Sequence, residues 1–245
     1  MISKIKALIE DYKVLLRNVP AFVTASFLLC TCLMNIAASK VIFNLGAVAG
    51  TGGIILSWVP FLCMDVVTKR FGARAAILLN ILSALGNLFA VIFLGIVAAI
   101  PTETPYAEFD YIFGAIWFIV LSSTVAFVAS GVVNSLIHSA LGKLFKKNPD
   151  GKLAFFFRSY VSTFIGQAID NFLFMFGVYV LFGPSQWGID AMPIITCIGT
   201  GVLGGLLELL VEVIFSPLGY VTVKRWEKEK VGQEYIDLHS KSVSE

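Results

Sequence analysis

The sequence predicts an all-α integral membrane protein of six transmembrane helices, with both termini cytoplasmic and a short amphipathic helix at the N-terminus. Three observations carry that reading. The 245 residues are 58% hydrophobic and 14% charged, with a mean hydropathy of +0.86; soluble domains average about 25% charged residues, so the polar surface is too small to cover a globule. Six apolar runs lie between Val19 and Val223, most of them longer than the roughly 20 residues a helix needs to cross about 30 Å of hydrocarbon. Of the 18 Lys and Arg residues, all but Lys40 fall in four stretches: the N-terminus to Arg17, the loop at Lys69, Arg70 and Arg74, the loop from Lys143 to Arg158, and the tail from Lys224. Those stretches alternate with the apolar runs so that all can lie on one face, and basic loops mark the cytoplasmic side. The formal net charge of +2 is therefore topological, suited to acidic headgroups and not to nucleic acid.

The elements follow in order. In residues 1–18, Ile5, Leu8, Ile9, Tyr12, Leu15 and Leu16 share a helical face opposite charged residues, the pattern of a helix lying in the membrane interface. Pro20 suits the first turn of span one, 19–41. The connection 42–53 carries Gly46, Gly50, Gly52 and Gly53, which fits a hairpin or a segment folded back into the protein. Span two covers 53–70 and span three 74–100. An acidic outer loop, 101–110, leads to span four, 111–141, whose excess length tilt or an extension would absorb. Asn148, Pro149, Asp150 and Gly151 turn the chain into span five, 155–182. A short outer loop with Pro184, Trp187 and Asp190 precedes span six, 192–223. The charged tail, 224–245, is expected to be mobile, with Tyr220 and Trp226 as interfacial anchors. The domains are thus 1–18, 19–223 and 224–245. Cys30, Cys32, Cys63 and Cys197 all fall in apolar spans and read as packing residues.

A carboxylate near mid-membrane costs about 2.5–3.5 kcal/mol on insertion scales, yet the spans hold Asp65, Asp170, Glu208 and Glu212. Their neighbours form stripes at helical spacing. Span five aligns Ser159, Ser162, Thr163, Gly166, Gln167 and Asp170; span four Gly131, Asn134, Ser135 and His138; span three Asn80, Ser83, Ala84 and Asn87; span one Thr31, Asn35 and Ser39; span six Gly201, Gly205, Glu208 and Glu212. Five such faces can converge on a hydrated or ligand-filled interior. Small-residue stripes also serve as plain helix-packing seams, and Asp65, one turn before Lys69, can form a local ion pair. Arg158 opens span five, where it can anchor to phosphate. It lies about three turns from Asp170 and cannot neutralise it on the same helix. Glu208 and Glu212, one turn apart, are placed to share a proton or a cation. No phosphate-binding G-x-x-x-x-G-K-[ST], H-E-x-x-H, G-x-S-x-G or Cys/His cluster occurs, so neither nucleotide hydrolysis nor another enzyme activity is expected, and no cofactor or metal.

The runs Phe61–Gly72 (FLCMDVVTKRFG) and Arg158–Asp170 (RSYVSTFIGQAID) resemble the two signatures of the queuosine precursor transporter family, integral membrane proteins sometimes grouped with vitamin uptake transporters. Asn35 with Lys40, Asn134, and Pro217 closing span six are similar to further family positions. Span six departs, because some members carry a basic residue where this chain has Glu208 and Glu212. The resemblance implies uptake of 7-cyano-7-deazaguanine, 7-aminomethyl-7-deazaguanine or queuine for tRNA modification across a bacterial cytoplasmic membrane. A carboxylate, Asp170 or Asp65, could accept the adjacent N–H and amino groups of a guanine-type edge, each such bond contributing about 1.5–3 kcal/mol. Gln167, Asn134 and Asn35 could serve its carbonyl and ring nitrogen. Glu208 and Glu212 would suit an aminomethyl cation or a coupling proton, with Lys40, Arg158 and Ser162 as further candidates. The expected partners are this 7-deazapurine substrate and the lipid bilayer, with a homodimer left open. The rival readings are a substrate-binding subunit of an ATP-driven vitamin importer and a membrane-embedded assembly partner with internal hydrogen bonding only.

Overall fold

A computed structural model describes residues 2–101, 107–144 and 152–241. The elements are α1 (Ile2–Asn18), α2 (Ala21–Ala37), β1 (Val41–Asn44), β2 (Ala49–Thr51), a 3₁₀ turn (Gly52–Ile55), α3 (Trp58–Phe71), α4 (Ala73–Ala98), α5 (Ala107–Phe113), α6 (Ile116–Leu144), α7 (Lys152–Phe176), a π-helical segment (Gly177–Phe182), α8 (Gly183–Trp187), α9 (Ile194–Lys228) and α10 (Gln233–Lys241). Four stretches within them are long and apolar enough to cross a membrane: Ala73–Ala98, Glu108–Val133, Tyr160–Trp187 and Ile194–Phe215. A fifth arises if α1 and α2, which meet at a 108° bend, count as one broken span. The expected second span is shorter than foreseen, because α3 has 14 residues and reaches about 21 Å. Outward-facing Phe22, Phe89, Leu136 and Ile195 are each more than 60% exposed, as side chains meant for lipid would be.

The chain forms two compact units. The first comprises Met1–Leu33, Leu56–Asn87 and Glu212–Glu245. Its core joins Leu15 and Val19 to Val67, Phe71, Leu79, Trp226 and Tyr235. The apolar arc of α1 divides here. Leu15 is fully buried and the Tyr12 hydroxyl donates to Leu78 O at 2.8 Å, while Leu8, Ile9 and Leu16 stay exposed.

As far as Lys241, where the described residues end, the charged tail is helical and docked, against the expectation of a mobile segment. Tyr235 of α10 is fully buried and packs edge-on against Phe71. Asp11 of α1, itself almost fully buried, receives Arg74 Nε at 2.7 Å and meets His239 Nε2 at 2.8 Å. Arg17 and Asn18 both donate to Glu234. The turn before α10 depends on Gly232 at φ +72°, where a side chain would run into the Phe71 ring. Trp226 belongs to this core and is no interfacial anchor; Tyr220 is the exposed one. Pro217, expected to close span six, sits inside α9, which continues to Lys228.

The second unit comprises Met34–Ile55 and Leu88–Val211. Its core gathers Ala49, Phe118, Ile119, Met175, Val178, Tyr179, Trp187 and Cys197. The glycine-rich connection is an antiparallel hairpin, with Val41 opposite Thr51 and Asn44 opposite Ala49. Gly46 turns it at φ +79°. The hairpin lies on the first turns of α9. There the Ala49 N–H donates to Thr200 Oγ1 and the Thr200 hydroxyl reaches Ala49 O, both at 2.9 Å, while the Thr196 hydroxyl donates to Gly46 O. Gly199 lets the Ala47 carbonyl approach between them. Backbone polar groups that would face hydrocarbon unpaired are thus satisfied inside the protein. The predicted outer loop at Pro184 is instead α8, and it buries Trp187.

Candidate functional site

In the second unit three helices bring polar side chains to one place. From α6, the Ser130 hydroxyl lies 2.9 Å from Asp170 Oδ1 on α7 and 3.0 Å from Phe127 O. Its one proton can serve either acceptor, and its oxygen can accept in turn. Ser130 can therefore donate to an ionised Asp170 or receive a hydrogen bond from a protonated one. Beside Asp170, the Asn171 amide donates to Gln167 O at 2.9 Å and to Glu208 Oε2 of α9 at 3.4 Å. Asp170 and Glu208 are both half-buried.

Glycines of α9 allow this approach. A Cβ on Gly201 would lie 2.7 Å from Ala168 O, and one on Gly205 would lie 3.0 Å from Phe164 O. One on Gly204 would lie 2.6 Å from Asn171 Cγ. The small-residue stripe of span six is thus a packing seam, and its service to the site is to bring Glu208 against Asn171.

The other candidates divide. Gln167 stands one turn before Asn171 and its carbonyl holds that amide. Ser162 is 2% exposed on the same helix. Asn35 is buried on α2, and Lys40 is exposed where β1 begins. Asp65 belongs to the first unit, on α3, where Lys69 one turn on pairs with it; the local ion pair is what forms. The side chains of Asn134, Arg158 and Glu212 lie outside the described residues, as does that of His138. Ser130 and Asn171 were not foreseen. Ser130 sits one turn before Asn134, and Asn171 one turn after Gln167, so each extends a stripe already visible. The buried Thr196 and Thr200 of α9 were also missed.

With three helices of membrane-spanning length presenting carboxylates, an amide and a hydroxyl to one another, the arrangement can hold a polar solute or a proton within a bilayer. No curated protein and no solved structure matches the chain. The family described as "Putative vitamin uptake transporter" matches residues 51–222. That stretch covers most of the chain and contains Asp65, Ser130, Asp170, Asn171 and Glu208, so this protein belongs to the vitamin uptake transporter family.

Proposed function

We propose that the protein imports a queuosine precursor, a 7-deazaguanine derivative or queuine, across the bacterial cytoplasmic membrane by alternating access. The observation that carries this is the Ser130–Asp170–Asn171–Glu208 cluster, assembled from three membrane-length helices in a member of an uptake family. The likeness of Arg158–Asp170 to the queuosine-transporter signature supports the substrate class. Asp170 accepts the paired N–H donors of the guanine-type edge, Gln167 and Asn134 serve its carbonyl and ring nitrogen, and Glu208 with Glu212 tunes charge or coupling. Six crossings with both termini inside remain the preferred topology. The basic stretches support it.

Uptake of labelled 7-cyano-7-deazaguanine into cells unable to make it tests the proposal. Wild-type protein should restore uptake, and Asp170→Asn should lose most of it at equal protein level. Failure of the wild type to restore uptake of any precursor refutes the substrate. Uptake that vanishes when a host ATPase partner is removed assigns the chain instead as the binding subunit of an ATP-driven importer.

A further inference from the structure

A second polar feature of this unit lies apart from the carboxylate cluster. A cavity of about 640 Å³ opens between the base of the hairpin and the segments around α5 and α8; its walls include Lys40, Glu108, Tyr111, Tyr179 and Trp187. That volume is within the roughly 300–1,000 Å³ typical of small-molecule sites. Tyr179 is nine residues beyond Asp170, about 13 Å along the helix axis, so the two places are distinct.

The aromatic walls are fixed before any ligand arrives. The Tyr111 hydroxyl donates to Trp187 O at 2.8 Å, and Trp187 Nε1–H donates back to Tyr111 O at 3.2 Å. The Tyr179 hydroxyl donates to Ala38 O at 2.7 Å. Trp187 and Tyr179 are themselves buried, at 9% and 3% exposed, so the ring face offered to a ligand is chiefly that of Tyr111, 49% exposed, which suits stacking against a flat heterocycle. Lys40 is set by the hairpin, its N–H donating to Ala37 O and its carbonyl accepting from Gly52 N–H. Its ammonium and the Glu108 carboxylate make no ion pair among the described residues. Lys40 is also the one cation outside the four basic stretches. One cation and one anion over a stacking wall match a ring whose carbonyl adjoins N–H donors, with Lys40 donating to the carbonyl and Glu108 accepting from the N–H groups.

We infer that this cavity is a docking site for a guanine-type lactam, filled before the solute reaches Asp170 and Glu208; the inference rests on the substrate reading above and adds a second place of contact. Adenine, whose edge reverses donor and acceptor, should bind poorly there. The test is a fluorescence titration of the purified full chain in lipid nanodiscs with 7-cyano-7-deazaguanine and with adenine, using Trp187 as a reporter in the cavity wall. Lys40→Gln and Glu108→Gln should each raise Kd about tenfold or more, with thermal unfolding unchanged because both side chains are exposed. Kd within about twofold of wild type in both variants, with binding lost in Asp170→Asn, overturns the docking site and leaves the proposed function standing. A wild type that binds no 7-deazaguanine compound overturns the substrate reading and this inference together. Equal affinity for adenine overturns the lactam assignment.

Discussion

Removing one hydroxyl tests whether the carboxylate cluster is a built site. Ser130 supplies Asp170 with a hydrogen-bonding partner from a different helix, at 2.9 Å. Two scales bear on its contribution. Hydrogen bonds to charged groups contribute about 1.5–3 kcal/mol in proteins generally, whereas contacts between membrane helices average about 0.6 and reach about 1.7 kcal/mol in double-mutant cycles, because the unfolded chain in the membrane also finds partners. A carboxylate acceptor and a half-buried setting place this pair near the top of the membrane scale, so about 1.5 kcal/mol is expected. The choice of variant decides whether the cycle reads it. Asn at position 170 could still accept from Ser130, so Asp170→Ala is the proper partner. Unfolding free energies of wild type, Ser130→Ala, Asp170→Ala and the double variant, measured in one detergent, should give a coupling of about 1–1.5 kcal/mol. Effects that simply add, to within about 0.3 kcal/mol, would show that Ser130 and Asp170 do not act together, and the cluster would lose its anchor.

Other perturbations probe the frame around the site. Gly204→Ala should cost about 1–3 kcal/mol, as overpacking does, because its Cβ would meet Asn171; adding Asn171→Ala should recover part of that cost, and a double variant no more stable than Gly204→Ala would contradict the geometry. Thr200→Val removes the hydroxyl that serves both Ala49 N–H and Ala49 O, so about 2 kcal/mol should be lost and hydrogen exchange at the Ala49 amide should quicken. Tyr235→Ala empties a fully buried aromatic position and should cost about 3–5 kcal/mol, with trypsin cutting after Lys228 or Lys230 far faster than in wild type. The Asn18 amide, with Arg17 beside it, holds the Glu234 carboxyl below the ordinary carboxylate range. A group so depressed contributes its stability in full above the ordinary value and loses it as pH falls through the folded one. Docking of α10 should therefore loosen in acid, seen as falling protection factors for the α10 amides from pH 5 to pH 3, roughly the carboxylate range; Glu234→Gln should flatten that dependence, and an unchanged profile would argue against it.

What the amino-acid order made legible follows from energetic cost. Apolar stretches of membrane length are expensive to place anywhere else, so the helical membrane class could be read directly and four of the long stretches recur as α4, α5–α6, α7–α8 and α9. The glycines of 42–53 marked unusual backbone, and a hairpin is there. Its supports, Thr196 and Thr200, stand about 150 residues away, and a threonine inside an apolar helix carries no local sign of such a partner. The tail misled for a related reason. Its charges suggested solvent, but Asp11 pairs with Arg74 and meets His239 across three helices while Tyr235 fills the core beneath them, a pattern visible only once distant segments meet. The site divides in the same way. Asp170 and Glu208 stood out because a carboxylate in hydrocarbon demands compensation. Ser130 and Asn171, which provide it, are inexpensive in a membrane helix and therefore inconspicuous. A search for transport sites from sequence should accordingly begin at intramembrane carboxylates and look one turn to either side of each polar stripe for the hydroxyls and amides that hold them.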